Sequence, residues 1–185
     1  MRRERSSSPR SIALACVMLA CVMLAALTST SCFDPEHSDE VDALGGEVNG
    51  VGPGPLHRPG QPCRACHGGM GPGSPEFSIA GTIYLTRDVG TAQAGVTVTI
   101  TDVTGDNRVL TSNEVGNFYI SIDDWSPTFP VNVKVGSEGL SAVKAAKQPQ
   151  MISPIGRNGG CGFCHYGADN EPTHMPPVYL QETAQ

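Results

Sequence analysis

Two short stretches, 98 residues apart, repeat one spacing of cysteine and histidine: Cys63-Arg64-Ala65-Cys66-His67 and Cys161-Gly162-Phe163-Cys164-His165. Both read Cys-x-x-Cys-His, the attachment pattern for c-type haem. The spacing has a physical reason. Two cysteines three apart lie on one side of a helical turn, from which their sulfurs reach both vinyl groups along one edge of a porphyrin. The next residue then meets the iron. An imidazole there supplies the proximal axial nitrogen, so five residues deliver two thioethers and one metal bond.

Seven cysteines in 185 residues would ordinarily suggest disulfides, but two of them lie in an export segment and a third directly follows it. Arg2, Arg3, Arg5 and Arg10 precede an uncharged stretch from Ser11 to Cys32, whose apolar part is Ile12 to Leu27. That is the charge and hydropathy pattern of an export signal over residues 1–31, and its apolar part is short for a comfortable membrane span. Small residues before Cys32 resemble the bacterial lipoprotein signal, which implies Cys32 as the acylated first residue of the mature chain and a membrane contact through that lipid. Cleavage without lipid is the alternative. Cys16 and Cys21 leave with the signal, and the four cysteines that remain are the four of the two motifs.

The same four cysteines admit two other readings. They could form a tetrahedral sulfur site for one zinc ion, or each pair could close as a disulfide or act as a thiol redox pair in an oxidising compartment. Neither needs a histidine after the second cysteine in both halves. Export and the doubled histidine therefore favour haem, and at this point the chain resembles the multihaem c-type cytochromes. The resemblance implies two covalently attached c-type haems, held by Cys63, Cys66 and His67 and by Cys161, Cys164 and His165.

The second axial position on each iron has several candidates. His57 lies ten residues before His67 in a stretch rich in Pro and Gly, and His174 lies nine residues after His165 in a similar one. These are the first and second choices. His37 stands in an acidic stretch and reads as solvated. Met70, Met151 and Met175 compete, Met151 the strongest of them, and methionine ligation would raise the reduction potential.

Between the motifs the pattern changes to period two. Strands are predicted at Phe77 to Leu85, Gly95 to Thr101, Arg108 to Thr111, Asn117 to Ile122 and Val131 to Val135, with a last one at Leu140 to Lys144. Val96, Val98 and Ile100 share one face of their strand, and Phe118, Ile120 and Ile122 are expected to point inward. Stretches such as Ile79-Ala80-Gly81-Thr82-Ile83-Tyr84 and Asn113-Glu114-Val115-Gly116-Asn117-Phe118 resemble the carboxypeptidase regulatory-like, or prealbumin-like, domains. The resemblance implies a scaffold without catalytic residues. The expected fold is mainly β, a small antiparallel Ig-like or prealbumin-like sandwich flanked by Gly- and Pro-rich haem-binding loops. The organisation expected is a signal at 1–31, an acidic flexible tether at 32–55, a first haem segment at 56–76, a sandwich at 77–144 and a second haem segment at 145–185.

Charge narrows the partners. Without the signal, eight basic residues face seventeen acidic ones, a formal charge of −9. Such a surface repels nucleic acid and steers basic redox proteins or other cytochromes toward it at low salt. The function expected is an exported, periplasmic or cell-surface dihaem cytochrome, lipid-anchored and not an enzyme, that relays electrons in the cell envelope. Two alternatives stand beside it. One is a small haem enzyme with an open iron site, such as a peroxidase or oxyanion reductase; the other is an adhesion or carbohydrate-binding sandwich with structural cysteine pairs, for which Trp125 would be the ring platform, although a Trp at a strand end is more often a core lid.

Overall fold

A computed structural model describes residues 34–47, 49–87, 91–136, 151–165 and 175–181, together with Met18. The chain divides into two compact units after Glu36, and the sheets and both motifs belong to the second. Apart from Met18, the expected export segment lies outside the described residues, as do Cys32, His174 and the strand expected at 140–144.

The first element is a helix, α1 (Pro35–Ala43), in the stretch expected to be a flexible tether. Local chemistry accounts for it. The Glu36 amide donates to Asp34 Oδ1 at 3.1 Å, an N-terminal cap, and Pro35 stands at the first helical position, where its missing N–H costs nothing. The residues after the helix are also tied down. Arg58 donates from Nε to Glu47 Oε1 at 3.1 Å and from Nη2 to the Gly45 carbonyl, and Gln61 Nε2 donates to the Leu44 carbonyl at 3.3 Å. No helix among the described residues is long and apolar enough to cross a membrane.

The described residues are mainly β, with two three-stranded sheets. β1 (Phe77–Thr86) is flanked by β4 (Asn117–Ser121) and β6 (Val178–Gln181), while β2 (Thr97–Asp102) is flanked by β3 (Asn107–Thr111) and β5 (Val131–Gly136). The β1–β4, β2–β3 and β2–β5 pairs are antiparallel, but β1–β6 is parallel, so the expectation of a purely antiparallel fold is corrected. Both sheets contribute to one apolar core: Ile79, Ile83, Phe118, Ile120 and Leu180 from the first, Val98, Ile100, Val131, Val133 and Val135 from the second. β2 and β5 show the alternating burial that their sequences predict.

One expected inward residue behaves differently, and the place of Trp125 is decided. Ile122 falls just past the end of β4 and is exposed, because alternation stops where the strand stops. Trp125, the suggested sugar platform, is buried: its Nε1 donates to Asp106 Oδ2 at 3.0 Å and the Arg108 guanidinium lies 5.1 Å from its ring centre. It closes one end of the core and presents no free ring face.

β1 departs most from a half-buried strand. Nine of its ten residues are buried, so both of its faces are covered. Ile79 and Ile83 face the core. Ala80, Thr82 and Tyr84 face the other way, onto the segments that carry the motifs.

Candidate functional site

The first motif is a single helical turn, α2 (Cys63–His67), begun by the Pro62 carbonyl accepting the Ala65 amide at 2.8 Å. The second opens with a 3₁₀ turn at Cys161–Phe163, after which the His165 amide donates to the Cys161 carbonyl at 2.9 Å. In both, the turn brings the two cysteines and the following histidine to one end of a short helical segment. The four cysteines are free thiols. Among the described residues no group of three or more His, Cys, Asp or Glu is arranged to hold a metal ion, so the four sulfurs do not converge on a tetrahedral point.

The two histidines share one second contact. His67 Nδ1 lies 2.8 Å from the Pro75 carbonyl oxygen, and His165 Nδ1 lies 2.5 Å from that of Pro176. A carbonyl only accepts, so Nδ1 carries the proton in both rings and Nε2 keeps its lone pair. This is the arrangement that fixes the tautomer of metal-ligating histidines and raises their basicity.

His67 is held on more than one side. It is buried, its ring stacks on Phe77 with centroids 4.4 Å apart, and Gly73 packs against it so closely that a Cβ there would sit 2.8 Å from three ring carbons. Phe77 reaches this position through a β-bulge. The register of β1 against β4 shifts between Phe77 and Ile79, which turns Phe77 out of the core that Ile79 enters. Next to the motif opens a cavity of about 580 Å³, lined by His57, Arg58, Cys63, Cys66, His67, Pro72, Pro75, Phe77 and Tyr119. Its volume lies within the range of ~300–1,000 Å³ usual for cofactor sites.

His57, the first choice for a distal ligand, lines the same cavity, its ring 5.8 Å from that of His67 and inclined by 22°. Its Nδ1 accepts the Gly54 amide at 3.1 Å, which places the proton of the neutral ring on Nε2. Ligation through either nitrogen would give up that bond, a loss of about 1 kcal/mol net that a metal–nitrogen bond outweighs. Met70 and Met175 are exposed, Met175 tied by its amide to the Cys164 carbonyl at 2.9 Å. Met151 runs beside β5, donating its amide to the Val133 carbonyl at 3.3 Å. His37 stands in α1, 3.8 Å from Glu40.

The two motifs, far apart in sequence, meet at β1. The first covers the strand's outer face: the Gly60 amide donates to Thr82 Oγ1 at 2.8 Å, and Gly60 lies so close to the Tyr84 hydroxyl that a Cβ would overlap it. The second occupies the strand's edge. Gly160 bridges Ala80 in parallel just before the motif, and β6 takes the same edge further along. Cys161 then lies under Gly81, where a side chain would collide with it at 2.8 Å. Gly162 packs against Pro62, and Arg64 donates to the carbonyls of Arg157, at 2.9 Å, and Asn158.

Burial dominates the electrostatics here. The Cys161 thiol is pushed up to about 12, first by burial and then by the neighbouring Cys63. Cys63 rises to about 11, again by burial, with its backbone hydrogen bond acting against it. Cys66 rises through burial, partly opposed by Arg58. Burial thus works against thiolate formation at these three cysteines.

Residue types alone did not reveal Gly73, Phe77 or the Pro75 and Pro176 carbonyls as parts of the site. A backbone carbonyl leaves no mark in a sequence; the only available signal was a proline following each motif at a short interval. Comparison with protein-family models, with curated proteins and with solved structures found no match to this chain.

Proposed function

We propose that this chain is an exported dihaem c-type cytochrome that relays electrons in the cell envelope, anchored through a lipid on Cys32. In this reading residues 77–144 form a small Ig-like or prealbumin-like sandwich, and the segments at 56–76 and 145–185 hold the two haems. The observation that carries it is the shared Nδ1 contact of His67 and His165, which leaves Nε2 of both rings available at the end of a Cys-x-x-Cys turn. Cys63, Cys66 and His67 would hold one haem in the cavity shared with His57, and Cys161, Cys164 and His165 the other. The haem supplies one-electron chemistry when bound; the chain supplies axial nitrogens, a largely apolar wall and exclusion of water. Because both motifs pack on β1, the two centres are near neighbours, a geometry suited to passing an electron between them.

The bond from Gly54 to His57 supports a second reading, an enzyme whose first iron keeps an open position. Carbon monoxide separates the two, since an iron with two protein ligands resists it. The test of the leading reading is the intact mass and visible spectrum of chain matured in a host with haem-attachment machinery. Two haems' added mass on the motif cysteines is expected. A colourless product, or one carrying zinc, overturns it.

A further inference from the structure

We propose that electrons pass between the first motif and an external partner through the exposed ring of Tyr119, at a surface that docks a basic redox protein; this rests on the dihaem reading above. Three rings lie in line. His67 stacks on Phe77 at 4.4 Å, and Phe77 stacks on Tyr119 at 4.6 Å, inclined by 20°. Tyr119 is 38% exposed and stands on β4, an edge strand, so this ladder leads from the motif histidine to solvent in two ring contacts. Electron tunnelling weakens steeply across gaps, and closely packed rings shorten the gaps.

The bulge in β1 makes the ladder. Without it Phe77 would share the face of Ile79 and enter the core, leaving Tyr119 without a ring between it and His67. Tyrosine also suits a docking surface, with an apolar body and a polar tip.

Charge selects the partner. Tyr119 lines the cavity together with Val41 and Glu47, and Asp39, Glu40 and Asp42 are exposed along the helix that carries Val41. Arg58, the arginine on that wall, is paired with Glu47 at 3.1 Å. The rim is therefore net acidic and complements a lysine-rich surface. One electron crosses: the centre here is oxidised by one, the partner's one-electron centre is reduced by one, and no bond or proton moves.

The test uses the full matured chain, reduced and mixed in stopped flow with a lysine-rich mitochondrial-type cytochrome c as a basic probe. The native rate should fall as salt rises. Tyr119→Leu should slow transfer several-fold while Tyr119→Phe keeps the native rate. Joint replacement Asp39→Asn and Asp42→Asn should slow transfer about tenfold at low salt and little at high salt. A Tyr119→Leu chain with native spectrum and native rate overturns the proposal. If that variant does not mature, the double Asp replacement decides, and an unchanged rate at low salt overturns it. A colourless native chain overturns the dihaem reading, and the docking surface with it; a coloured chain with indifferent variants overturns the docking surface alone.

Discussion

A histidine ring ligates well only when its other nitrogen is occupied and its plane is held, and His67 meets both conditions through residues with no reactive chemistry of their own. The Pro75 carbonyl takes the Nδ1 proton, Phe77 stacks on the ring and Gly73 packs against it. Gly73→Ala would place a methyl group 2.8 Å from three ring carbons, so the ring must move. The expected outcome is an altered visible spectrum or lost attachment at the first motif with the second intact, read as haem per chain; a native spectrum at full loading counts against the packing described. Asp102 is a second residue with several tasks. Its carboxylate accepts from the Thr104 amide and hydroxyl, the Asp106 amide and the Thr128 amide. The Thr104 hydroxyl first, and then the Thr128 amide, hold its pKa below the usual carboxylate value. A lowered native pKa contributes stability that is present above the unfolded value, near ~3.9, and lost as pH falls through the native one. Asp102→Asn should therefore be less stable at pH 7, with a flatter loss on acidification; urea midpoints at pH 7 and pH 3 measure it, and parallel curves for the two proteins would refute it.

At the scale of elements, β1 joins the scaffold to the motifs. One of its faces packs in the core, the other carries the segment at 56–76, and its free edge takes the second motif and β6. Thr82 is the hinge of this arrangement: its hydroxyl accepts the Gly60 amide at 2.8 Å and donates to Asn117 Oδ1 at 2.8 Å. Thr82→Val keeps the shape and removes both bonds, leaving partly buried polar groups unpaired at a cost of about 1–3 kcal/mol. A lowered urea midpoint should be accompanied by faster hydrogen exchange at the Gly60 amide. Unchanged exchange there would show that Thr82 does not hold the segment. The Gly116 turn is equally local in origin. Its φ is +77°, and a Cβ would meet the Ile83 carbonyl at 2.2 Å, so a glycine is needed to start β4 against β1.

For the whole molecule the question is whether the two motif segments behave as one. Arg64, inside the first motif, donates to two carbonyls that precede the second, and burial lowers its pKa while Glu76 opposes that shift. Arg64→Ala should loosen residues 151–160 and speed their cleavage in limited proteolysis, with the sheets protected as before. Equal cleavage rates would mean that Gly162 on Pro62 and Gly160 on Ala80 suffice to hold the segments together.

Strand positions were legible because alternation is a local signal: five of the six strands among the described residues fall within one or two residues of where the period-two pattern puts them. β6 was missed. Four residues after two prolines are too few to show a period, and its partner lies nearly a hundred residues away. The helix at Pro35–Ala43 was hidden by an acidic composition that outweighed its Asp-Pro start. Ile122 was misassigned because nothing local marks where alternation ends.

Sequence alone put two sulfurs and an imidazole within five contiguous residues in each motif, whatever surrounds them. It also determined most of the strands, through side chains that must alternate across a pleated backbone. Only the tertiary structure decided that both motifs share β1, that a bulge aims Phe77 at His67, and that two prolines supply the carbonyls for the histidine protons. The first of these joins segments nearly a hundred residues apart, and the other two act over about ten residues through a strand irregularity and backbone carbonyls, which no residue type marks.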